Sequence, residues 1–279
     1  MSRLEAVDLP AASQGMLRDA RRLLHRKERQ SARLFLAEGR QATSEAMRRQ
    51  GTVLELIVAD DSVDRHRDLL TAAAAAEVSI AVAPARAVTE LSGTVTPQGV
   101  VSVCQMVDVQ PGEALAGTPR LVVLCDQVRD PGNLGTVIRC ADGFGADAVL
   151  VSRDSVDVYN LKTVRATVGS LFHLPLAVEV SLVEAVARAR DSGLQVFGTE
   201  AAAPCTIDDL ARAGELARPT LWVMGNEAWG LQPDDAALLD RLVALPMYGR
   251  TASLNLSTAA AVFLYASATA QNAGFSEPS

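Results

Sequence analysis

Two hydrophobic periodicities alternate along the chain, and together they predict interleaved strands and helices. Compact apolar runs such as RLFLAEG (33–39), TVLELIVAD (52–60) and RLVVLCD (120–126) have the length and composition of strands. Between them, segments such as SLVEAVARARDSG (181–193) carry apolar residues at helical spacing. The unbroken run at 120–126 is typical of a strand buried on both faces of a parallel sheet. The alternation therefore predicts an α/β fold.

A short segment rich in turn-forming residues predicts a domain boundary. Residues 110–119 (QPGEALAGTP) contain two prolines and two glycines and show no hydrophobic periodicity. We therefore expect a smaller α/β domain over 1–109 and a second, parallel-sheet α/β domain over 120–272. Residues 273–279 are expected to form a disordered tail.

Charge is unevenly distributed along the chain, whose net charge is −7. Residues 13–33 are predicted to form one basic helix, and salt screening makes such a local patch count for more than the total charge. A solvated helix face is the alternative interpretation. The side chains expected to bind nucleic-acid phosphates are Arg18, Arg21, Arg22, Arg26, Arg29 and Arg33.

Composition also bears on several other classes of site. The four cysteines and three histidines lie far apart, so we expect neither a metal site nor a disulfide. No apolar run approaches the roughly 20 residues that span a bilayer. The segment 1–14 lacks the apolar core of a signal peptide. We therefore expect a soluble, cytoplasmic protein with no membrane partner.

Three loops follow apparent parallel strands and carry the residues best suited to chemistry. They read DQVRDPGNLGTVIRCADG (126–143), VMGNEAWGLQP (223–233) and LPMYGRTASLNLSTAAAV (245–262). Open α/β sheets place their ligand sites at this end of the strands. The glycines fit neither the dinucleotide fingerprint nor the phosphate-binding loop of nucleotide hydrolases. This argues against a nicotinamide enzyme and against nucleotide hydrolysis.

In order and spacing, these loops resemble the three motifs of the SpoU (TrmH-like) ribose 2′-O-methyltransferases. The segment 33–60 is similar to the opening of the substrate-binding domain that precedes the catalytic domain in the two-domain form of that family. The resemblance implies a trefoil-knotted SPOUT fold in the C-terminal domain and a ribosomal-protein-like, RNA-binding α/β fold in the N-terminal one. It also implies S-adenosylmethionine as methyl donor, RNA as substrate and a homodimer formed through the knotted domain.

The same resemblance implies which residues act. The residues in catalytic positions are Arg139, Asn133, Ser253, Asn255 and Glu227. The residues expected to contact the donor are Thr199, Glu200, Gly225, Asn226, Leu245, Pro246, Met247 and Leu254. Arg165 and Ser170 are expected to face RNA or the dimer partner. The chain departs from many family members at Ala252 and Ala266, where glutamate is frequent.

Arg139 raises the main chemical question. Its planar guanidinium suits bidentate contact with a phosphate and would stabilise a developing alkoxide. Base catalysis is the alternative, although forming the neutral guanidine of an arginine is costly. Asn133 and Asn255 have a simpler interpretation as helix caps. Trp222 is expected in the core, whereas Trp229 either stacks on a base or packs in the core or dimer interface.

The choice of RNA depends on the extra domain. Single-domain relatives that act on tRNA carry only short extensions, whereas a preceding domain is typical of members that methylate large-subunit ribosomal RNA, so we expect 23S rRNA. The alternatives are a tRNA ribose methyltransferase, a base-methylating knot enzyme and a non-catalytic RNA-binding protein that retains the fold. The last helix, expected over 254–271, presents an apolar face that is either core or dimer interface.

Overall fold

The computed structural model describes residues 9–273, so nearly all of the expected disordered tail lies outside the described residues. The chain folds into two compact units. The first contains the residues up to Val107 together with Tyr159–Phe172. The second contains Asp108–Val158 together with the residues from His173 onward. The segment 159–172 therefore belongs to the first unit, although it lies within the range expected for the second domain.

Strands and helices alternate along the described residues, as the hydrophobic pattern predicts. The strands are β1 (Leu34–Glu38), β2 (Val53–Ala59), β3 (Ser79–Ala83), β4 (Val100–Gln105), β5 (Leu121–Cys125), β6 (Ala148–Ser152), β7 (Leu176–Val180), β8 (Gln195–Thr199), β9 (Cys205–Thr206), β10 (Thr220–Met224) and β11 (Arg241–Ala244). The α-helices are α1 (Gln14–Arg22), α2 (Arg26–Ala32), α3 (Arg40–Arg48), α4 (Arg67–Ala75), α5 (Ala85–Ser92), α6 (Pro111–Ala114), α7 (Pro131–Gly143), α8 (Leu161–Thr167), α9 (Leu182–Asp191), α10 (Ile207–Arg212), α11 (Pro233–Ala236) and α12 (Leu256–Asn272). None of these helices has the length and apolar character needed to cross a membrane.

The first unit is built on a four-stranded mixed sheet in the order β1-β4-β2-β3. Strand β4 is antiparallel to β1 and β2, whereas β2 and β3 are parallel. Side chains alternate between the two faces of a strand, and in β2 Ile57 packs with the helices α1 and α5 while Leu56 packs with α4. The sheet is therefore covered by helices on both faces.

The prediction of one basic helix over 13–33 is wrong, because the chain breaks between α1 and α2. The backbone N–H groups of Leu24 and His25 bond to carbonyls three residues earlier, and His25 is then extended, with φ −98° and ψ 130°. Helix α2 ends at Ala32, and the φ of 56° of the following residue, Arg33, lies in the left-handed region. No proline or glycine occurs after residue 15 of this segment to mark the break.

The segment 159–172 covers β1, which is an edge strand of the first sheet. The ring of Tyr159 packs against that of Phe35, with the ring centroids 4.7 Å apart. In α8, the guanidinium of Arg165 donates to the backbone carbonyl of Ser92 at 2.7 Å. The segment therefore packs on the face of β1 that carries Phe35 and completes the first unit.

The second unit is built on a seven-stranded sheet in the order β7-β6-β5-β10-β8-β11-β9, and every neighbouring pair is parallel. All residues of β5 and β10, near its centre, are buried, which confirms the prediction made from 120–126. The sequence pattern missed β7, whose side chains Val178 and Glu179 are not buried, and β9, which has only two residues. Since the strands are parallel, their carboxyl ends form one edge of the sheet.

Candidate functional site

Loops that leave the carboxyl ends of β8, β10 and β11 enclose a cavity of about 350 Å³. Its size lies in the range usual for small-molecule sites. The predicted donor-contact residues that line it are Thr199, Glu200, Gly225, Asn226, Leu245, Met247 and Leu254. Pro246 belongs to the same loop but is not among the lining residues. Of the predicted catalytic residues, Glu227 and Ser253 also line the cavity.

The loop after β10 turns back so tightly that it requires glycine at its start. A Cβ atom added to Gly225 would lie 2.6 Å from the carbonyl carbon of Gly230. Asn226 and Gly230 exchange backbone hydrogen bonds of 2.9 and 3.0 Å, which close the loop. The side-chain amide of Asn226 donates to the carbonyl of Gln127 at 2.7 Å. The cavity wall is thereby fixed to the segment that follows β5.

Glu227 accepts hydrogen bonds from the loop that begins α7. The backbone N–H groups of Arg129 and Asp130 each donate to its carboxylate at 3.0 Å. The side-chain amide of Asn133 donates to it at 3.1 Å. Burial alone would raise the pKa of Glu227, but these donors outweigh it and hold that pKa below its ordinary value. The carboxylate is therefore ionised and held in place.

Asn133 connects this carboxylate to the third loop. Its side-chain carbonyl accepts a hydrogen bond of 2.9 Å from the amide of Asn255. Asn255 also accepts from the backbone N–H of Ser257 at 2.9 Å, so its predicted role as a helix cap is confirmed. The capping interpretation of Asn133 is wrong, because Asp130 caps α7 by accepting from the Asn133 N–H at 2.9 Å. Asn133 thus has its side chain available to join two loops.

Arg139 lies on the exposed surface of α7 and does not line the cavity. It follows Asn133 by six residues, which places it about 240° around the helix from that side chain. Among the described residues, none forms a hydrogen bond or ion pair with the Arg139 side chain. Within one chain, the Arg139 guanidinium therefore lies outside the predicted donor site and is accessible to another molecule.

The basic segment in α1 and α2 is largely occupied by contacts within the first unit. Its ion pairs join Arg18 to Asp19, Arg21 to Glu90 and Arg22 to Glu28. Arg29 is 4% exposed and donates to the carbonyl of Leu23 at 2.8 Å. Arg26 and Arg33 have interactions as well. Three of the six arginines predicted to face nucleic acid therefore pair with carboxylates, and Arg29 is buried.

The two tryptophans have different environments. Trp222 is fully buried, and its indole N–H donates to the hydroxyl of Ser267 at 2.9 Å, which confirms the prediction of a core residue. Trp229 is 50% exposed and lines the cavity. The alternative that placed Trp229 in the core of its own chain is therefore wrong. Ser170, expected to face RNA or a partner, is buried within the first unit.

Sequence reasoning missed two residues that hold the site together. Asp130 caps α7 and binds Glu227 through its backbone N–H. An acid directly before proline is a recognisable start of a helix, so the sequence contained that signal. Gln127 has a φ of 54°, unusual for a residue other than glycine, and its carbonyl anchors Asn226. No feature of the sequence marked Gln127.

The lining of the cavity fits the predicted methyl donor. The described residues that line it include two carboxylates, Glu200 and Glu227, and neither lysine nor arginine. S-adenosylmethionine carries a sulfonium, an ammonium, a carboxylate and a ribose diol, and a negative, acceptor-rich wall complements its net positive charge and its diol. The apolar side chains Leu245, Leu254 and Phe263 offer a surface for its adenine ring. Over residues 9–273, no group of three or more His, Cys, Asp or Glu side chains is arranged to hold a metal ion.

Comparison with known proteins gives matches to two family models and to a full-length relative. The SpoU rRNA methylase family matches residues 120–265, and the MRM3-like substrate binding domain matches residues 16–102. The 23S rRNA (guanosine(2553)-2′-O)-methyltransferase RlmP of Bacillus subtilis (strain 168) is 35% identical over 260 residues. That alignment covers 92% of this chain and 97% of the relative.

Two solved structures share both units. The AdoMet-bound rRNA methyltransferase from Sinorhizobium meliloti has a TM-score of 0.77 and 26% identity, over 96% of this chain and 98% of that one. The SpoU methyltransferase AviRb from Streptomyces viridochromogenes, in complex with the cofactor AdoMet, has a TM-score of 0.78 and 30% identity. This second match covers 92% of the chain and 99% of AviRb.

Proposed function

The chain belongs to the SpoU rRNA methylase family, and from this we propose that it methylates a ribose 2′-hydroxyl of 23S rRNA with S-adenosylmethionine as donor. The observation that carries the proposal is the hydrogen-bonded connection Glu227–Asn133–Asn255 beside a cavity lined by carboxylates. The RlmP relative, named for the same reaction on 23S rRNA, aligns with almost the whole chain and supports this choice of substrate.

In the proposed reaction, the ribose oxygen forms a bond to the methyl carbon while the bond between that carbon and sulfur breaks. The hydroxyl proton leaves the ribose oxygen in the same overall step. S-adenosylmethionine supplies the methyl group in an electrophilic form, bound to a positively charged sulfur. The protein must therefore orient the ribose and stabilise the charge that develops on its oxygen.

The residues of the site divide these tasks. Glu227, Asn133 and Asn255 hold three loops in one arrangement, so that the cavity and the RNA-facing surface keep a fixed relation. Ser253 lines the cavity with an exposed hydroxyl that suits contact with the ribose or its phosphate. We assign to Arg139 the binding of a phosphate and the stabilisation of the developing alkoxide, because its guanidinium is a planar cation that can donate two parallel hydrogen bonds to one anion.

We further propose that the protein is a homodimer in which Arg139 serves the cavity of its partner. Arg139 does not line the cavity of its own chain. Helix α7 packs beside α12, where Val262 and Tyr265 are 39% and 59% exposed. The ring of Phe144 packs against that of Tyr265, with the ring centroids 5.7 Å apart, and extends this apolar surface. A second copy would cover these side chains. The trefoil knot remains a prediction of the family resemblance.

A complementation experiment tests this arrangement. An Arg139→Ala subunit mixed with a Glu227→Gln subunit should recover activity, because one mixed site then contains both intact residues. Each variant alone should be inactive or nearly so. If the mixture stays as inactive as its components although mixed dimers form, Arg139 acts within its own chain.

The activity itself is tested by incubating purified protein with 23S rRNA and methyl-labelled S-adenosylmethionine, with tRNA in parallel. We expect label in 23S rRNA at a linkage that resists alkaline hydrolysis, because a methylated 2′-oxygen no longer attacks its phosphate. Donor binding without transfer to any RNA would favour a non-catalytic RNA-binding protein. Label in tRNA alone would favour the tRNA enzyme, and an alkali-labile linkage would favour base methylation.

We propose that the N-terminal domain, expected over 1–109, binds the RNA and that the catalytic domain, expected over 120–272, is the second unit without the segment 159–172. The match of residues 16–102 to a substrate-binding domain supports that role. Because ribosomal RNA is the proposed substrate, the compartment we propose is the cytoplasm.

A further inference from the structure

Among the described residues of the second unit, four arginines pair with a carboxylate, and two of them lie at the end of the parallel sheet where the strands begin. Arg241 is the first residue of β11, and Arg190, near the end of α9, pairs with Asp240 just before that strand. The pairs are Arg188 with Glu184, Arg190 with Asp240, Arg212 with Asp209 and Arg241 with Glu215.

Three other arginines follow strands at the opposite, carboxyl edge of the sheet. Arg153 directly follows β6, Arg129 lies four residues beyond β5, and Arg250 lies six residues beyond β11. All three side chains are exposed. Within residues 9–273, no hydrogen bond or ion pair involves any of these three guanidinium groups. This edge therefore carries positive charge that the second unit does not compensate by direct pairing.

The three arginines flank the proposed donor cavity. In the sheet, β10 and β8 lie between β5 and β11, and the loops after β10, β8 and β11 form the cavity. Arg129 and Arg153 therefore follow strands on one side of the cavity, and Arg250 follows a strand on the other. Four strand spacings separate β6 from β11, a span of about 19 Å. Such a span accommodates several consecutive phosphates of an RNA strand.

Acidic groups lie on the same edge, so RNA binding there depends on contacts between individual arginines and phosphates and not on a net positive potential. Asp126 is 5% exposed, and burial raises its pKa. Glu227 is held by amide donors. Asp154 and Asp234 remain exposed nearby, and the whole chain carries a net charge of −7. Binding of an RNA strand at this edge therefore requires direct contacts from individual arginine side chains, since the net negative charge of the protein does not attract the RNA.

We propose that Arg153, Arg129 and Arg250, here called the arginine row, bind phosphates of the substrate RNA on both sides of the nucleotide presented to the cavity. The inference rests on the proposed function for the identity of that cavity. The planar fork of each guanidinium suits a phosphate bidentately. Because a ribose must reach the cavity, the bound RNA is a single-stranded loop or a splayed segment. The arginine row thus adds to the basic segment of the first unit, in which Arg18, Arg21 and Arg22 pair with carboxylates.

The test compares two triple variants that lose the same charge. The row variant is Arg129→Gln, Arg153→Gln and Arg250→Gln. The control variant is Arg188→Gln, Arg190→Gln and Arg212→Gln, each of which breaks an exposed ion pair of the second unit. Binding of 23S rRNA is measured between about 50 and 200 mM salt, and binding of S-adenosylmethionine is measured by calorimetry.

The row variant should bind the RNA at least about 10-fold more weakly at the higher salt concentration, while donor affinity is unchanged. The slope of the logarithm of the association constant against the logarithm of the salt concentration should become less negative by about 2, since each phosphate contact with a single strand contributes about −0.7. The control variant should keep the wild-type slope. Equal effects of the two triple variants, or an unchanged slope in the row variant, would overturn the proposal.

Separate measurements distinguish this failure from a failure of the proposed function. Methyl transfer with an unchanged salt slope in the row variant would reject the arginine row and leave the enzyme assignment intact. RNA binding that depends on the row without any methyl transfer would reject the enzymatic activity and leave the RNA surface intact.

Discussion

Asn255 donates its side-chain amide to the side-chain carbonyl of Asn133 across 2.9 Å, and the two residues are 122 positions apart in the chain. On its other side, Asn133 donates to Glu227 at 3.1 Å. The loops after β5, β10 and β11 therefore meet at one amide. Because Asn133 does not line the cavity, this amide positions the loops without touching the proposed donor.

Replacement of Asn133 by alanine should reduce catalysis more than donor binding. We expect kcat to fall by about 10²-fold, since small misplacements of reacting groups have effects of this order. The donor Kd should change by less than about threefold, because the lining is retained. Single-turnover kinetics and calorimetry measure the two quantities. The matched control is Thr136→Ala in the same helix, where the hydroxyl donates a hydrogen bond to the carbonyl of Gly132 within that helix. A parallel loss of donor affinity would show that Asn133 shapes the cavity.

Addition of a methyl group at Gly225 should displace the loop that follows β10. The added Cβ would lie 2.6 Å from backbone atoms of Gly230, which cannot move without breaking the bonds that close the loop. We expect Gly225→Ala to weaken S-adenosylmethionine binding by at least about 10-fold, measured by calorimetry. Gly143→Ala is the control, because a Cβ there meets nothing within 4 Å. Wild-type affinity in Gly225→Ala would show that the loop adapts freely.

The proposed donor site should become labile in acid because of Glu227. Burial acts to raise the pKa of Glu227, but hydrogen bonds from Arg129, Asn133 and Asp130 lower it below its ordinary value. A depressed pKa stabilises the folded state above the unfolded value of about 4.3, and that contribution is lost as the pH falls through the folded pKa. The wild-type melting temperature should therefore fall more steeply below about pH 4.3 than that of Glu227→Gln. Parallel melting curves for the two proteins would contradict this prediction.

Gln271 should stabilise the second unit from the end of α12. Its buried side-chain amide donates to the carbonyls of Arg120 and Arg218, each at 3.0 Å, just before β5 and β10 begin. Gln271→Ala leaves both carbonyls without this donor and should lower the free energy of unfolding by about 1–3 kcal/mol. The neighbouring Asn272→Ala, which loses only an exposed bond within the helix, should change it by less than about 0.5 kcal/mol. Urea denaturation measures both, and equal effects would count against a special role for Gln271.

Local patterns in the sequence predicted most of the second unit's elements and most of its cavity. Strand β5 is fully buried because a parallel strand in mid-sheet is covered on both faces, and its apolar run shows this directly. Gly225 and Leu254 were identifiable because their motif repeats a family pattern, and both line the cavity. What is local in the chain, such as apolar runs, turns and motifs, can be predicted from the sequence.

Contacts between distant residues could not be predicted in the same way. The break at His25 depends on backbone geometry, with neither proline nor glycine to mark it. The ion pair between Arg21 and Glu90 joins residues 69 positions apart, and it changes how much of the basic segment remains for RNA. The left-handed Gln127 is held by its surroundings, since its own side chain gives no preference for that conformation.

The segment Tyr159–Phe172 makes the first unit discontinuous, and this constrains how the protein can be divided or recombined. A fragment that stops at Val107 would leave the buried Phe35 without its aromatic neighbours Tyr159 and Phe172. Exchange of recognition modules between relatives therefore has to transfer two separate stretches together. A transplant of the N-terminal stretch alone would pack β1 against a Tyr159–Phe172 segment that belongs to a different protein.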